Sequence, residues 1–413
     1  MISLLDNLLT LLLLAAFACA MFFAVNSLLN RNSLRRIRDG CSVRQPLVSV
    51  LIPCRNEKEH IEACIDSVLR QQYEPLEILI LDDHSTDGSQ EILLRSADSH
   101  ECVTVIQGDP LPEGWMGKNW ACHQLYQRSK GEVLLYCDAD TQMDEYLLRD
   151  AVAKLEEQEL GFVTLFPQRE SSNLFDQLVW SFTSWVIVAW VPLWLAYQTR
   201  LGMLAVGFGQ FLMIRRDAYE RIGGYETFRG NSLDDFEITR RLQAAGIDWR
   251  VYGAAGRLMT TSYQSTSEAI EGYGKSIFPA FRFNGLILLV AWLLLANVTW
   301  TPVVVLIFES LGLITISSDQ LQLASVCVMS MLFSWAVAAA KLKISILTTV
   351  FYPIAITSVL YTAVSSYLGI RRGTITWKDR VIRETDVDVI TSAALSDERP
   401  DSFPESTSGN REP

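Results

Sequence analysis

Histidine is scarce, four in 413 residues, and no two stand close together in the chain. His84 and His123 are therefore expected in surface or satisfied core positions rather than as metal ligands. The eight cysteines, Cys19, Cys41, Cys54, Cys64, Cys102, Cys122, Cys137 and Cys327, include no C-x-x-C pair. That spacing points to neither a zinc site nor a disulfide framework, and it fits a reducing compartment. Positive charge is also in deficit, with 35 Lys and Arg against 47 Asp and Glu, a formal charge of -12. A general polyanion-binding surface is not expected, nor nucleic acid as a partner. No basic segment precedes the first apolar run and no A-x-A site comes after it, so that run is expected to stay as an anchor rather than leave as a signal peptide.

Apolar residues, by contrast, make up 49% of the chain and include eleven tryptophans. Leu4 to Val25 is long enough to cross a bilayer, and Arg31, Arg35, Arg36 and Arg38 just beyond it place the succeeding domain in the cytoplasm. Beyond Gly285 three further runs qualify, Leu286 to Leu313, Leu323 to Ala340 and Ile344 to Ile370. Lys341 and Lys343 mark one cytoplasmic turn, while Arg371, Arg372, Lys378 and Arg380 put the tail on the same side. Three full crossings cannot satisfy both. One run must then re-enter, and the last, broken by Pro353, is the candidate. The tail beyond Arg383, acidic and rich in Ser and Pro, is expected to be disordered.

Between these runs, short apolar stretches alternate with amphipathic ones, the pattern of a mostly parallel sheet covered by helices. Strands are predicted at Val48 to Ile52, Glu77 to Leu81, Val103 to Ile106, Val133 to Cys137 and Phe162 to Phe166. Helices are predicted at Glu59 to Gln71, Gln90 to Arg95, Trp120 to Gln127 and Glu145 to Gln158, the last with Asp144 as N-cap. Leu178 to Tyr197 could span a membrane by length, but a crossing there would put acidic motifs on opposite sides. It is predicted to be an interfacial or re-entrant amphipathic element, its four tryptophans in the headgroup region. The expected division is an anchor at 1–28, a basic linker at 29–46, an α/β catalytic domain at 47–283 with the Trp-rich element at 174–200, membrane helices at 284–370 and a tail at 371–413.

Ligands of such sheets gather beyond the carboxyl ends of the strands, where three acidic motifs stand. Asp82-Asp83-His84-Ser85-Thr86-Asp87-Gly88-Ser89 ends a strand and opens a helix, and its carboxylates can accept hydrogen bonds from a base edge or ribose. Alone, it is equally an acidic turn with capping residues. Asp138-Ala139-Asp140 puts two carboxylates on one side of an extended segment, as one oxygen-loving divalent ion requires, although D-x-D is common by chance. Leu233-Asp234-Asp235 opens a helix closed by Gly246, where a carboxylate could act as general base or merely complement the helix dipole.

The order of these motifs is more specific than any one of them. Ser49-Val50-Leu51-Ile52-Pro53-Cys54-Arg55-Asn56-Glu57, the Asp-rich turn, Asp-Ala-Asp, and Gly223-Gly224-Tyr225 ahead of Asp234-Asp235 resemble the family 2 inverting glycosyltransferases of GT-A fold. The resemblance covers roughly Leu47 to Tyr273. Within that family, Gly114-Trp115-Met116-Gly117-Lys118-Asn119, Gly272-Tyr273-Gly274-Lys275 and Thr376-Trp377-Lys378-Asp379-Arg380 are similar to segments of bacterial carotenoid and hopanoid-associated enzymes.

The resemblance implies a Rossmann-like sheet with helices on both faces, a Mg or Mn ion, a nucleotide-sugar donor such as UDP-glucose, and a lipid acceptor at the membrane. It assigns Pro53, Glu57 and Asp83 to the nucleotide, Asp138 to ribose or metal, Asp140 to the metal and Asp235 to the base, with Asp234 beside it as an accessory. Where relatives carry Q-x-x-R-W or Tyr-Arg-Ser, this chain has Tyr263-Gln264-Ser265, which leaves the diphosphate to Lys118 or Lys275. Competing expectations are a polyprenyl-phosphate or ceramide-type sugar transferase, a polysaccharide synthase, and an inactive nucleotide-sensing scaffold.

Overall fold

The computed structural model describes residues 2–381 apart from 39, 41–43, 255, 375 and 378–379; Lys378 and the acidic tail beyond Arg383 lie outside the described residues. Eight strands form the main sheet, in the spatial order Arg35–Arg36, Trp249–Gly253, Phe162–Phe166, Leu212–Arg215, Val133–Tyr136, Val48–Cys54, Leu76–Asp82 and Val103–Gln107. All neighbours run parallel except Leu212–Arg215, which is antiparallel to both its partners. Helices cover both faces, so the inner strands are buried on each side and consist of continuous apolar runs. The five predicted strands are present. The four predicted helices lie at Ile61–Leu69, Ser89–Ser99, Gly117–Arg128 and Leu147–Glu157.

Register aligns the strand ends. Cys54 lies opposite Asp82 and Leu51 opposite Tyr136, so the loops carrying Asp83 and Asp138 leave the same edge of the sheet. A small second sheet stands beside this edge, with Leu258–Thr260 between Thr141–Met143 and Gln168–Arg169. Its pairing of Thr260 with both Thr141 and Arg169 joins distant parts of the chain around Asp140.

Four helices are long and apolar enough to cross a membrane, Leu4–Ser33, Gly285–Ser310, Ser318–Leu342 and Tyr352–Arg372. Their outer faces expose rows of large apolar side chains, such as Leu4, Leu286 and Met329, which water does not tolerate at this density. This is a membrane protein. Lys341 donates to the Leu34 carbonyl at 3.1 Å and Arg36 to that of Ala340 at 2.8 Å, so Ser318–Leu342 ends beside the main sheet. Ser366 accepts from Phe278 N–H at 3.1 Å and donates to Gly274, which brings the end of Tyr352–Arg372 back to the same side. Between these two ends the chain forms Ile346–Val350 and turns at Phe351, and Trp300 in the middle of Gly285–Ser310 donates to Thr357 at 3.0 Å.

The Trp-rich element is the helix Leu174–Ala189 succeeded, after Pro192, by Leu193–Ala196. Asn30 donates to Val188 O at 2.9 Å and Asn26 to Ala189 O at 3.0 Å, so side chains of the first helix satisfy the carbonyl end. The expectation that the tryptophans of this element all sit in the headgroup region does not hold. Trp185 is fully buried, stacked at 5.4 Å on the equally buried Trp335, and Trp180 stacks on Phe166 at 5.3 Å. Flat indoles fill the junction between the sheet and the apolar bundle.

Two local expectations are corrected. Asp144 is not the N-cap of Leu147–Glu157; Tyr146 holds that position, and Asp144 accepts from Tyr146 N–H at 3.2 Å while binding Arg257. The basic segment after the anchor is not a plain linker. The first helix runs to Ser33, and Arg35–Arg36 adds an edge strand to the sheet against Tyr252 and Gly253.

Candidate functional site

At the aligned strand ends lies a cavity of about 180 Å³ lined by Pro53, Glu57, Asp83, Lys118, Asp138 and Asp140. A neighbouring cavity of about 210 Å³ contains Asp234 and Asp235, and the two share Lys118, Asp138, Gln210 and Lys275. Every site residue singled out in the sequence thus faces one continuous cleft. His84 and His123 line neither cavity. His123 is packed against Trp115 and Trp120, and burial lowers its pKa.

The Asp-rich turn divides its carboxylates by task. Asp82 accepts from Ser85 N–H at 3.2 Å, and Asp87 accepts from Ser89 N–H and Lys58 N–H, each at 2.9 Å. Burial opposes the Asp87 charge, but these bonds and the Ser89 hydroxyl hold its pKa below the ordinary carboxylate value. Both groups build the turn. Asp83 faces the cavity, with Arg55 donating to its carbonyl at 2.7 Å.

Asp138 and Asp140 differ in their partners. The Asp138 carboxylate is 2.8 Å from the Lys118 ammonium, while Asp140 accepts from the hydroxyls of Thr260 at 3.1 Å and Thr261 at 2.8 Å. No group of three or more His, Cys, Asp and Glu able to hold a metal occurs among the described residues. Two carboxylates beside a polar cavity still fit a hard divalent ion such as Mg or Mn, which takes one or two carboxylates and completes its shell with phosphate oxygens and water.

Asp235 opens the helix Asp234–Ala244 and accepts from Phe236 N–H at 2.8 Å and Gly209 N–H at 3.3 Å. Its pKa is pushed up to about 7, first by burial and then by the adjacent Asp234 charge, with Lys118 opposing. Asp234 is buried, accepting from Tyr225 OH at 3.1 Å and lying 3.4 Å from Lys118. Burial works against the Lys118 ammonium, but Asp138 and Asp234 hold it protonated, with a pKa well above the ordinary lysine value. Lys118 therefore bridges the two acidic motifs. The loop beside them needs glycine, since a Cβ on Gly207 would lie 2.4 Å from the Asp235 carbonyl.

Sequence reasoning missed Arg169. It lines the first cavity, donates to Asp176 at 3.2 Å and Tyr273 OH at 2.9 Å, and lies over the rings of Trp180 and Tyr263 at 4.8 and 4.9 Å. Its Nε is buried without a partner. A signal existed, because Arg169 comes just after the strand Phe162–Phe166 at the ligand-bearing edge. What hid it was the expectation of a cation next to Tyr263 in sequence, whereas the cation on that ring arrives through pairing of Arg169 with Thr260.

Residues 49–223 match the family described as Glycosyl transferase family 2, the family that the order of the acidic motifs resembles. It is 27% identical over 202 residues to a beta-monoglucosyldiacylglycerol synthase of Nostoc, covering 48% of this chain and 41% of that one. It is 23% identical over 236 residues to a 4,4'-diaponeurosporenoate glycosyltransferase of Staphylococcus aureus, covering 56% and 60%. The chain thus spans about half the length of the curated relatives it matches. Among solved structures, the mannosyltransferase PcManGT of Pyrobaculum calidifontis, in complex with GDP-Man and Mn2+, superposes over 91% of this chain and 100% of its own, with a TM-score of 0.50 and 16% identity. That likeness is one of fold.

Proposed function

We propose that this protein transfers a hexose from a nucleoside-diphosphate sugar to a lipid-soluble hydroxyl acceptor at the cytoplasmic face of a plasma membrane. The observation that carries the reading is the single cleft that joins Asp138, Asp140 and Arg169 to Asp235. Two of its walls also pack on the apolar bundle. Lys275 belongs to the helix Thr266–Ala280, which is bonded to Ser366, and Arg169 is tied through Asp176 to the Trp-rich helix. An acceptor dissolved in the bilayer would reach the cleft sideways.

In this mechanism Pro53, Glu57 and Asp83 hold the nucleotide, and Arg169 and Lys275 neutralise the diphosphate. A Mg or Mn ion held by Asp138 and Asp140 with donor phosphate oxygens would stabilise charge on the leaving group. Asp235 takes the acceptor proton, the freed oxygen forms a bond to the anomeric carbon, and the bond from that carbon to the diphosphate breaks. Attack opposite the leaving group inverts the anomeric carbon, so an α-linked donor yields a β-glycoside. UDP-glucose is the proposed donor, and a carotenoid or triterpenoid alcohol the proposed acceptor, in keeping with the lipid names of the two relatives. Feeding radiolabelled UDP-glucose to membranes containing the protein, with lipid extraction afterwards, should give a labelled lipid. Label only in polyprenyl phosphate or ceramide fractions would redirect the assignment, and no labelled lipid would sink it.

The carboxylate pair makes a pH prediction. A base must be ionised, so turnover should fall about tenfold per pH unit below the Asp235 pKa of about 7 and level off above it. Asp234→Asn removes the neighbouring negative charge, which makes Asp235 easier to ionise. Its acid limb should therefore move to lower pH, as read from kcat/KM against pH, and an unmoved or upward-shifted limb would contradict the pairing.

The same single cleft makes a prediction about topology. Cysteine labels introduced at exposed positions near Ser99, Arg169 and Asn231 should all react from the cytoplasmic side. Opposite accessibility of Ser99 and Asn231 would mean that the Trp-rich helix crosses the membrane.

A further inference from the structure

A second cavity, of about 910 Å³, lies away from the cleft where the first helix, the Arg35–Arg36 edge strand and the end of Ser318–Leu342 meet. Its polar wall carries Arg31, Arg35, Arg36, Arg38, Lys154 and Lys341, with no carboxylate in the lining among the described residues. The lining also includes the apolar Phe333 and Val337 of Ser318–Leu342, so cations and hydrocarbon face one space.

Arginines after a membrane helix commonly do no more than orient it. Here they converge with charges from elsewhere in the fold. Lys341 arrives from a helix about three hundred residues later, and Lys154 from the helix Leu147–Glu157 on the sheet. None of the four arginines forms an ion pair with a carboxylate among the described residues; of the six cations, only Lys154 does, with Glu157 at 2.6 Å. Arg36 and Lys341 spend donors on the carbonyls that close the helix junction, whereas Arg38 has no such bond among the described residues. Holding this many like charges together without an anion is unfavourable, and more so beside apolar surface of low dielectric.

We infer that this cavity binds the phosphodiester headgroup of an anionic phospholipid. Its acyl chains lie along Phe333 and Val337, and its phosphate sits among Arg31, Arg35 and Arg38. The site stands at the boundary that its two helices define, where hydrocarbon gives way to the soluble sheet, so both halves of such a lipid meet matching chemistry. The occupied site would fix the first helix against the edge strand, as a bound structural lipid. It is separate from the acceptor route and stands whether or not the transfer activity is as proposed.

The test uses the full chain, purified in neutral detergent and stripped of lipid, with phosphatidylglycerol and phosphatidylcholine of equal chain length as probes in native mass spectrometry. The wild type should retain phosphatidylglycerol in preference to phosphatidylcholine, and R35Q/R38Q should weaken that preference about thirty-fold, on the scale set by two basic side chains at an anionic surface. R35K/R38K should keep it, and R371Q/R372Q, which removes equal charge elsewhere at the boundary, should not alter it. Equal retention of the two lipids by the wild type would overturn the inference without need of any variant. So would an undiminished preference in folded R35Q/R38Q, equal loss in R371Q/R372Q, or displacement of the lipid by inorganic phosphate at matched concentration, which would mark a free-anion site.

Discussion

Asp235→Asn should lower turnover by about two to four orders of magnitude, the range of a lost general base, while donor binding changes little. The geometry makes the variant informative. Asparagine keeps the size of aspartate, and its carbonyl can still accept from Phe236 N–H or Gly209 N–H, so the helix start should survive. What it cannot do is take a proton. Asp234 is the internal control, because its carboxylate is buried against Tyr225 and Lys118 rather than hydrogen-bonded beside the Gly209 loop. Asp234→Asn should reduce turnover less than Asp235→Asn at neutral pH. The measurement is single-turnover transfer to a hydroxylated lipid alongside donor binding. Normal transfer by Asp235→Asn, or a dead Asp234→Asn with an active Asp235→Asn, would reassign the base.

The second large effect is expected at Asp140. Asp140→Asn should cost about two to three orders of magnitude in turnover, the scale for removing one group that stabilises charge in the transition state. Thr260 and Thr261 can still donate to the asparagine oxygen, so the small sheet should remain paired and the thermal midpoint should move little. Binding, not only activity, separates the roles. Mn should strengthen UDP binding to the wild type and fail to do so in Asp140→Asn, while UDP binding without metal is preserved. Asp138→Asn should add a second defect, because it also frees Lys118 from its 2.8 Å contact. If calorimetry found the same Mn enhancement of UDP binding in wild type and Asp140→Asn, the metal assignment would fail.

Arg169 shows why part of the site escaped the sequence. Its neighbours there, Gln168 and Glu170, carry no glycosyltransferase signature. The motif reading sought a cation after Tyr263 and found Gln264. In space the guanidinium lies over Tyr263 at 4.9 Å and in the cavity with Asp138 and Asp140. The deficit was one of sequence position, not of charge.

The acidic motifs were legible for a definite reason. Parallel strands buried on both faces produce unbroken apolar runs, and such sheets present ligand loops at their carboxyl ends, so an acid after a run marks the site. The strands, the motif order and the four apolar helices could all be read this way. The limits of the membrane segment could not. Tyr352–Arg372 is apolar enough to cross a membrane, yet where it begins and which way it faces depend on Phe351, Trp300 and Ser366 meeting distant partners.

Sequence alone determined the class of fold and the placing of carboxylates at the strand ends, because periodicity and local carboxylate spacing are properties of neighbours along the chain. Tertiary structure decided the rest. It separated Asp83 from the turn-building Asp82 and Asp87, raised Asp235 toward neutrality by burial and by Asp234, supplied Arg169 through strand register, and gathered six cations around an apolar wall. Each of these depends on desolvation or on contacts between residues far apart in the chain, quantities that exist only once the chain has packed.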